Sequence, residues 1–96
     1  MNLLEETISS MGMIRKTPND VKFVSFMDDD YEIYQISFSS FAKHANIELS
    51  EVNDTITIVF NDNTFMKRIN SGWEYYNYNL FFGFNIPPHY NFNKIN

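Results

Sequence analysis

Three carboxylates near the middle of the chain are the first residues whose type and spacing could do chemistry. Asp28, Asp30 and Glu32 lie in the stretch DDDYE and are hard oxygen donors of the kind that bind Ca²⁺ or Mg²⁺. A calcium loop of the EF-hand type also needs a central Gly and a Glu about twelve positions from its start. This stretch has neither, so we predict no metal site.

The same stretch is also typical of the tip of a β-hairpin. Asp favours such tips because its side chain bonds the backbone of the turn and tolerates positive φ. Asp28, Asp29 and Asp30, with Glu32, then form a solvated acidic turn. The alternative that stays open is an anionic contact surface for another molecule.

Groups that could support catalysis are few. His44 and His89 are the only imidazoles, which is too few for a three-His zinc site. Ser39 and Ser40 lack the flanking glycines of a nucleophile elbow, and the chain has no Cys. None of its three Gly residues belongs to a phosphate-binding loop. We therefore predict a non-enzymatic protein with no catalytic residues and no cofactor.

An aromatic stretch, WEYYNYNLFFGFNIPPHYNF, runs from Trp73 to Phe92. Sheets that bind single-stranded nucleic acid combine aromatic side chains with Lys or Arg that follow the phosphates. Residues 71–93 contain neither Lys nor Arg, and the whole chain carries a net charge of −5. Direct binding of nucleic acid is therefore not expected.

The aromatic side chains of this stretch are more than one small core can hide. Tyr, Trp and Phe are enriched at the centres of protein interfaces. We expect one group to fill the core, namely Trp73, Tyr75, Phe81 and Phe84. We expect a second group to be exposed as partner-binding residues, namely Tyr76, Tyr78 and Tyr90.

Two adjacent basic pairs, Arg15 with Lys16 and Lys67 with Arg68, could contact phosphate. The interpretation that we favour is that they neutralise nearby acids or lie in solvent at a helix end and on a strand. On that strand Lys67 and Arg68 must point to opposite faces.

Length and composition indicate one domain, residues 1–96, with a loosely ordered aromatic tail over residues 87–96. Apolar residues make up 44% of the chain and charged residues 20%, so neither a disordered chain nor a membrane protein is indicated. The N-terminus has Glu5 and Glu6 where a signal peptide has positive charge, and without Cys the chain suits a reducing compartment. We predict a cytoplasmic protein with no membrane association.

The elements that would position these residues follow from hydrophobic spacing. Helical spacing predicts short helices over 2–11, with Leu4, Ile8 and Met11 on the apolar face, and over 38–46. Alternation predicts a hairpin over 21–37 with its tip at 28–30, and then three strands within 55–60, 64–70 and 73–79. The predicted fold class is α+β: an antiparallel meander-type sheet of about five strands with one or two short helices packed on it.

Twelve acidic against seven basic residues favour a partner with a basic surface. We therefore predict a small acidic protein-interaction module, carried by a phage or mobile element, that evades host defence by inhibiting a basic, nucleic-acid-binding host protein such as a restriction or CRISPR effector. Its acidic contacts would be the hairpin tip and the segment Glu48, Glu51 and Asp54. The alternative is a structural protein that self-associates, for example as a homodimer, through its aromatic C-terminal sheet edge.

Overall fold

The computed structural model of the chain describes residues 2–45, 53–70 and 72–77. The elements in chain order are α1 (Leu3–Met13), a short 3₁₀ helix (Pro18–Asp20), β1 (Val21–Met27), β2 (Ile33–Ile36), α2 (Phe38–His44), β3 (Thr57–Phe60), β4 (Phe65–Ile69) and β5 (Gly72–Tyr76). The α+β fold class and the hairpin with its tip after Met27 are confirmed. The tail 87–96, and any strand before Pro87, lie outside the described residues.

All five strands belong to one antiparallel sheet with the order β2-β1-β3-β4-β5. The strands β3, β4 and β5 form a meander, and β1 and β2 form the hairpin. The connection from β2 to β3 contains α2 and brings β3 to the other side of β1. The sheet therefore has β3 at its centre and the hairpin at one side.

One face of the sheet, the first face, carries the main core beneath both helices. Leu3 and Met11 of α1 and Phe41 of α2 are buried there. The strand residues buried in the same cluster are Val24, Phe26, Tyr34, Ile36, Ile58, Phe60 and Met66. The predicted packing of short helices on the sheet is thus confirmed.

The helix α1 begins where its sequence predicts, but it packs through a different face. Asn2 caps it by accepting a hydrogen bond from the backbone N–H of Glu5 (2.9 Å). Its buried residues are Leu3, Thr7 and Met11, whereas the predicted contact Ile8 is 45% exposed. The Thr7 hydroxyl can be buried because it donates to the carbonyl of Leu3 (2.7 Å).

The turns of the meander use Asn in the left-handed region. Asn63 (φ 67°) follows β3, and Asn70 (φ 52°) follows β4. The Gly of the predicted Ser-Gly turn, Gly72, has no positive φ and begins β5 instead. Asn can take this role because it tolerates the left-handed conformation better than most residues.

The buried guanidinium of Arg68 is the main departure from the expected surface role of the basic pairs. Arg68 points to the first face and is 1% exposed, and its Nη2 atom lies 3.0 Å from a carboxylate oxygen of Glu6 on α1. Its guanidinium also lies over the ring of Trp73, 5.3 Å from the ring centroid. The prediction that the basic pairs neutralise nearby acids is therefore confirmed for Arg68, whereas the prediction that they lie in solvent is wrong for this residue.

We expect Glu6→Gln to lower the free energy of unfolding by about 1–3 kcal/mol, because it removes the charge opposite a buried guanidinium. Urea unfolding of the full chain measures this change. The matched control is Glu5→Gln, an exposed neighbour that alters net charge equally and should cost less than about 0.5 kcal/mol. Equal losses for the two variants would show that the pair with Arg68 contributes nothing.

A second ion pair fixes the chain after α1 to the turn between β3 and β4. The Lys16 ammonium donates to the Asp62 carboxylate (2.7 Å) and also lies 5.2 Å from the centroid of the Phe60 ring. This hydrogen bond, together with those from Thr64, lowers the pKa of Asp62 to about 2. The other basic pair thus also contacts an acid, through Lys16.

The pKa of Asp62 is lower in the folded state than its ordinary value of 3.8. The stability that the ionised Asp62 carboxylate contributes through Lys16 is therefore complete above pH 3.8 and disappears as the pH falls through about 2. The Asp62 side chain is 51% exposed, so we expect Asp62→Asn to cost only about 0.5–1 kcal/mol at neutral pH. Denaturant unfolding at neutral pH and near pH 2 should show the difference from the parent chain shrink strongly at the lower pH, where Asp62 becomes protonated in the folded state. If Asp62→Asn cost as much stability near pH 2 as at neutral pH, the cost would not come from the ionised Asp62 carboxylate.

Candidate functional site

The acidic tip, residues 28–32 between β1 and β2, is organised by the side chain of Asp28. One carboxylate oxygen accepts hydrogen bonds from the backbone N–H groups of Asp30 (2.9 Å) and Glu32 (3.0 Å). The other oxygen accepts a hydrogen bond from the Tyr34 hydroxyl. The backbone N–H of Asp28 also donates to the carbonyl of Glu32 (3.0 Å) and closes the loop. The loop therefore has a defined shape even though most of it lies in solvent.

The Asp28 carboxylate also changes the acidity of Tyr34. Its hydrogen bond to the phenol raises the pKa of Tyr34 to about 12, and burial of the ring acts in the same direction. The Tyr34 ring itself packs against Phe26 in the main core, with centroids 5.1 Å apart. A core residue thus anchors the acidic tip from below.

Tyr31 is the functional candidate that the sequence interpretation missed. The predicted hairpin, with its tip at 28–30, puts Tyr31 in the second strand, whereas β2 begins only at Ile33. Tyr31 instead lies on the acidic tip with a positive φ of 62° and is 83% exposed. A left-handed conformation is costly for a bulky residue, by about 1–2 kcal/mol, and such strain is often found at functional sites. The Asp28 carbonyl accepts the backbone N–H of Tyr31 (3.1 Å) and helps to hold this conformation.

The other acidic residues of the tip are close neighbours of Tyr31 in the sequence. Asp29, Asp30 and Glu32 are all exposed, while Asp28 is half-buried by its structural role. The predicted acidic turn therefore consists of one structural carboxylate and three at the surface. The sequence signal for Tyr31 was its position next to three consecutive Asp residues.

Asp54 lies on a loop that is attached to the same hairpin where β1 ends at the acidic tip. The Asn53 side chain donates to the carbonyl of Met27 (2.9 Å), and the Thr55 hydroxyl accepts the backbone N–H of Met27 (2.8 Å). Asp54 is thereby held beside the end of β1. Of the acidic segment predicted with it, Glu48 and Glu51 lie outside the described residues.

A shallow pocket of about 220 Å³ lies where this loop meets the hairpin. Its lining residues are Ser25, Phe26, Met27, Ile33, Asp54, Thr55, Thr57 and Lys67. Met27 and Ile33 are directly paired at the end of the hairpin ladder, and Ile33 is partly exposed. Apolar surface and a carboxylate thus lie immediately behind the acidic tip.

The predicted aromatic contacts are not brought to the acidic tip. Tyr76 is half-buried on β5, where its ring stacks on Phe65 with centroids 4.8 Å apart. The strand β5 lies at the opposite side of the described sheet from the hairpin. Tyr78 and Tyr90 lie outside the described residues, so among the predicted tyrosines only Tyr76 has a described position.

Within the described ranges, no three carboxylate or imidazole side chains are grouped in a way that could hold a metal ion. Neither described helix is long and apolar enough to cross a membrane. Compared with protein-family models, with curated proteins and with solved structures, the chain has no match.

We expect Asp28→Ala to return the pKa of Tyr34 from about 12 toward its ordinary value of 10, because the carboxylate that holds the phenol proton is removed. Since the pKa is raised in the folded state, the associated stability is complete below pH 10 and is lost as the pH rises through about 12. Absorbance titration of the tyrosines between pH 9 and about 12.5 measures the change.

Tyr34→Phe identifies the signal in this titration, because it removes the phenol whose pKa Asp28 raises. Asp29→Ala is the control, since Asp29 is exposed and carries no such contact to the phenol. A titration curve that is the same for Asp28→Ala and the parent chain would refute the role of Asp28.

Proposed function

We propose that this chain is a small, acidic, non-enzymatic protein-interaction module of the cytoplasm, and that its acidic tip contacts a basic surface on another protein. The observation that carries the proposal is Tyr31, a large aromatic side chain that is 83% exposed and is held on a hydrogen-bonded loop among carboxylates. An exposed aromatic ring with this much backbone support is better suited to contact than to packing.

The two parts of the tip contribute differently to such a contact. Carboxylates at Asp29, Asp30 and Glu32 attract a basic surface and accelerate the encounter, an effect that salt weakens. Tyr31 supplies apolar area, which contributes more to the binding free energy once the contact excludes water. Because Asp28 already orders the loop, binding should require little further loss of conformational entropy.

The nearby loop extends this surface. Asp54 is fixed to the end of β1, and the pocket behind the tip offers apolar area from Met27 and Ile33. Long basic side chains have apolar stems and charged ends, so they fit a surface in which carboxylates border apolar area. An Arg or Lys of the partner would contact the border formed by Asp54, Met27 and Ile33, whereas Lys67, which also lines the pocket, disfavours a second cation inside it.

The specific version of the proposal is an inhibitor, carried by a phage or mobile element, that evades host defence by covering the nucleic-acid-binding groove of a restriction or CRISPR effector. Such grooves are basic, and the chain carries a net charge of −5. Small size and acidic charge support this version by analogy.

Self-assembly through β5 is the second candidate. In the described residues β5 pairs only with β4, and Tyr75 on its first face is 37% exposed. An edge strand with aromatic side chains can pair with a second copy of the chain. Sedimentation of the purified chain tests this: a stable homo-oligomer that Tyr75→Ala dissociates would favour assembly over the inhibitor.

The tip hypothesis is tested with the intact chain as bait in a host lysate, followed by affinity measurements on the retained protein. We expect Tyr31→Ala to weaken binding by about 10- to 30-fold, the loss typical of an interface hot spot. Asp29→Asn with Asp30→Asn should weaken binding at low salt and flatten its salt dependence.

The matched control is Glu5→Gln with Glu74→Gln, which removes the same net charge from exposed positions away from the tip. Equal losses for the two double variants would mean that net charge alone drives binding. If neutralising positions 28 to 30 together leaves every partner bound equally well at low salt, the acidic-contact proposal is wrong.

A further inference from the structure

The second face of the sheet, opposite α1 and α2, is buried at its centre. Its members are identified by cross-strand pairing: Ser25 opposes Thr57, Thr57 opposes Lys67, and Val59 opposes Phe65. Val59 is 0%, Thr57 1% and Phe65 3% exposed. Burial this complete requires other atoms above the sheet, because one face of a lone sheet is in contact with water.

The described elements do not provide that cover. Both helices contribute their buried residues to the cluster on the first face. The described side chains that pack around Val59 and Phe65 are Phe23 and Tyr76, and both belong to strands of the sheet itself. Because these exposures are those of the single chain, the atoms above the second face come from another part of this chain.

The sequence after β5 has the length and starting point to provide the cover. Residues 78–96 follow Asn77 directly, and Tyr76 already places its ring on the second face by stacking on Phe65. Nineteen residues extend to roughly 60 Å, whereas the five strands span only about 19 Å from edge to edge. The segment is thus long enough to cross the whole face from its point of departure.

The composition of the segment also matches the face. The second face carries an apolar row, Phe23, Val59, Phe65 and Tyr76, beside a polar row, Gln35, Ser25, Thr57, Lys67 and Glu74. Residues 78–96 likewise mix aromatic side chains with Asn. The aromatic rings suit the apolar row, and the Asn amides can donate to and accept from the buried hydroxyl and amide groups of the polar row.

We propose that the second face of the sheet is the docking surface for this chain's own C-terminal segment, residues 78–96. The segment then forms a third layer of the domain, and its aromatic side chains complete the core around Val59 and Phe65. Tyr78 and Tyr90 would serve this intramolecular contact, while the acidic tip stays available to a partner. The docking does not depend on the proposed function, because it requires no partner.

The absence of Cys from the chain allows a clean test. A nitroxide attached at Glu74→Cys lies on the second face, and one at Ser9→Cys lies on α1, on the side of the first face; both parent residues are exposed. Because paramagnetic broadening falls steeply with distance, the first label should broaden the amide NMR signals of residues 78–96 strongly. The second label should affect them far less.

A mixture of isotope-labelled chain without nitroxide and unlabelled chain with nitroxide separates docking within one chain from docking between two copies. In this mixture only a contact between two molecules can broaden the observed signals. Broadening that appears only within one molecule supports the proposal. Broadening that is as strong in the mixed sample would assign the face to a second copy. Segment signals that keep full intensity with the Glu74→Cys label would overturn the docking altogether.

The unmodified chain provides a second measurement that needs no substitution. Lys94 is the only Lys in residues 78–96, Lys67 lies on the second face, and Lys43 lies on α2. Amine cross-linking of the monomer, read by mass spectrometry, should join Lys94 to Lys67 in preference to Lys43. The opposite preference would contradict the proposal.

Discussion

Complete burial of the central strand is the constraint on which the rest of this structure depends. Every residue of β3 is buried, and strand geometry sends alternate side chains to opposite faces. Two faces must therefore be covered in a chain of 96 residues without a disulfide. The helices α1 and α2 cover one, and the burial of Val59 and Phe65 requires a cover for the other. Sheets covered on both sides have strands with apolar residues at successive positions, as β3 has at Ile58, Val59 and Phe60.

The acidic tip shows how the same core supports a surface feature. Tyr34 packs against Phe26 with its ring and donates a hydrogen bond from its hydroxyl to Asp28, so the loop is joined to the core through one side chain. Asp28 in turn orders the loop and supports the strained backbone of Tyr31. The exposed residues of the tip therefore project from an ordered base, which would limit the entropic cost of the proposed contact.

The first face contains a buried charge, the guanidinium of Arg68, together with its counter-ion. Arg68 lies in the core beneath α1, where Glu6 neutralises its charge and Trp73 contacts its guanidinium. The pair joins the first helix to β4, far apart in sequence. Geometry of this kind is sensitive to the loss of one partner, since a buried charge without its counter-ion is much more costly than an exposed one.

The sequence by itself determined the fold class, the hairpin with its acidic tip, and the start of both helices, because these depend on local spacing and on caps such as Asn2 and Ser37. Only the tertiary structure decided that α1 packs through Thr7 and not Ile8, that Arg68 is buried, and that the Tyr31 side chain is exposed on the acidic tip. Periodicity identifies an apolar stripe but not its exact rotation, and the partner of a buried charge lies elsewhere in the chain. The pairing of Met27 with Ile33 closes the ladder, and this register leaves Tyr31 in the loop.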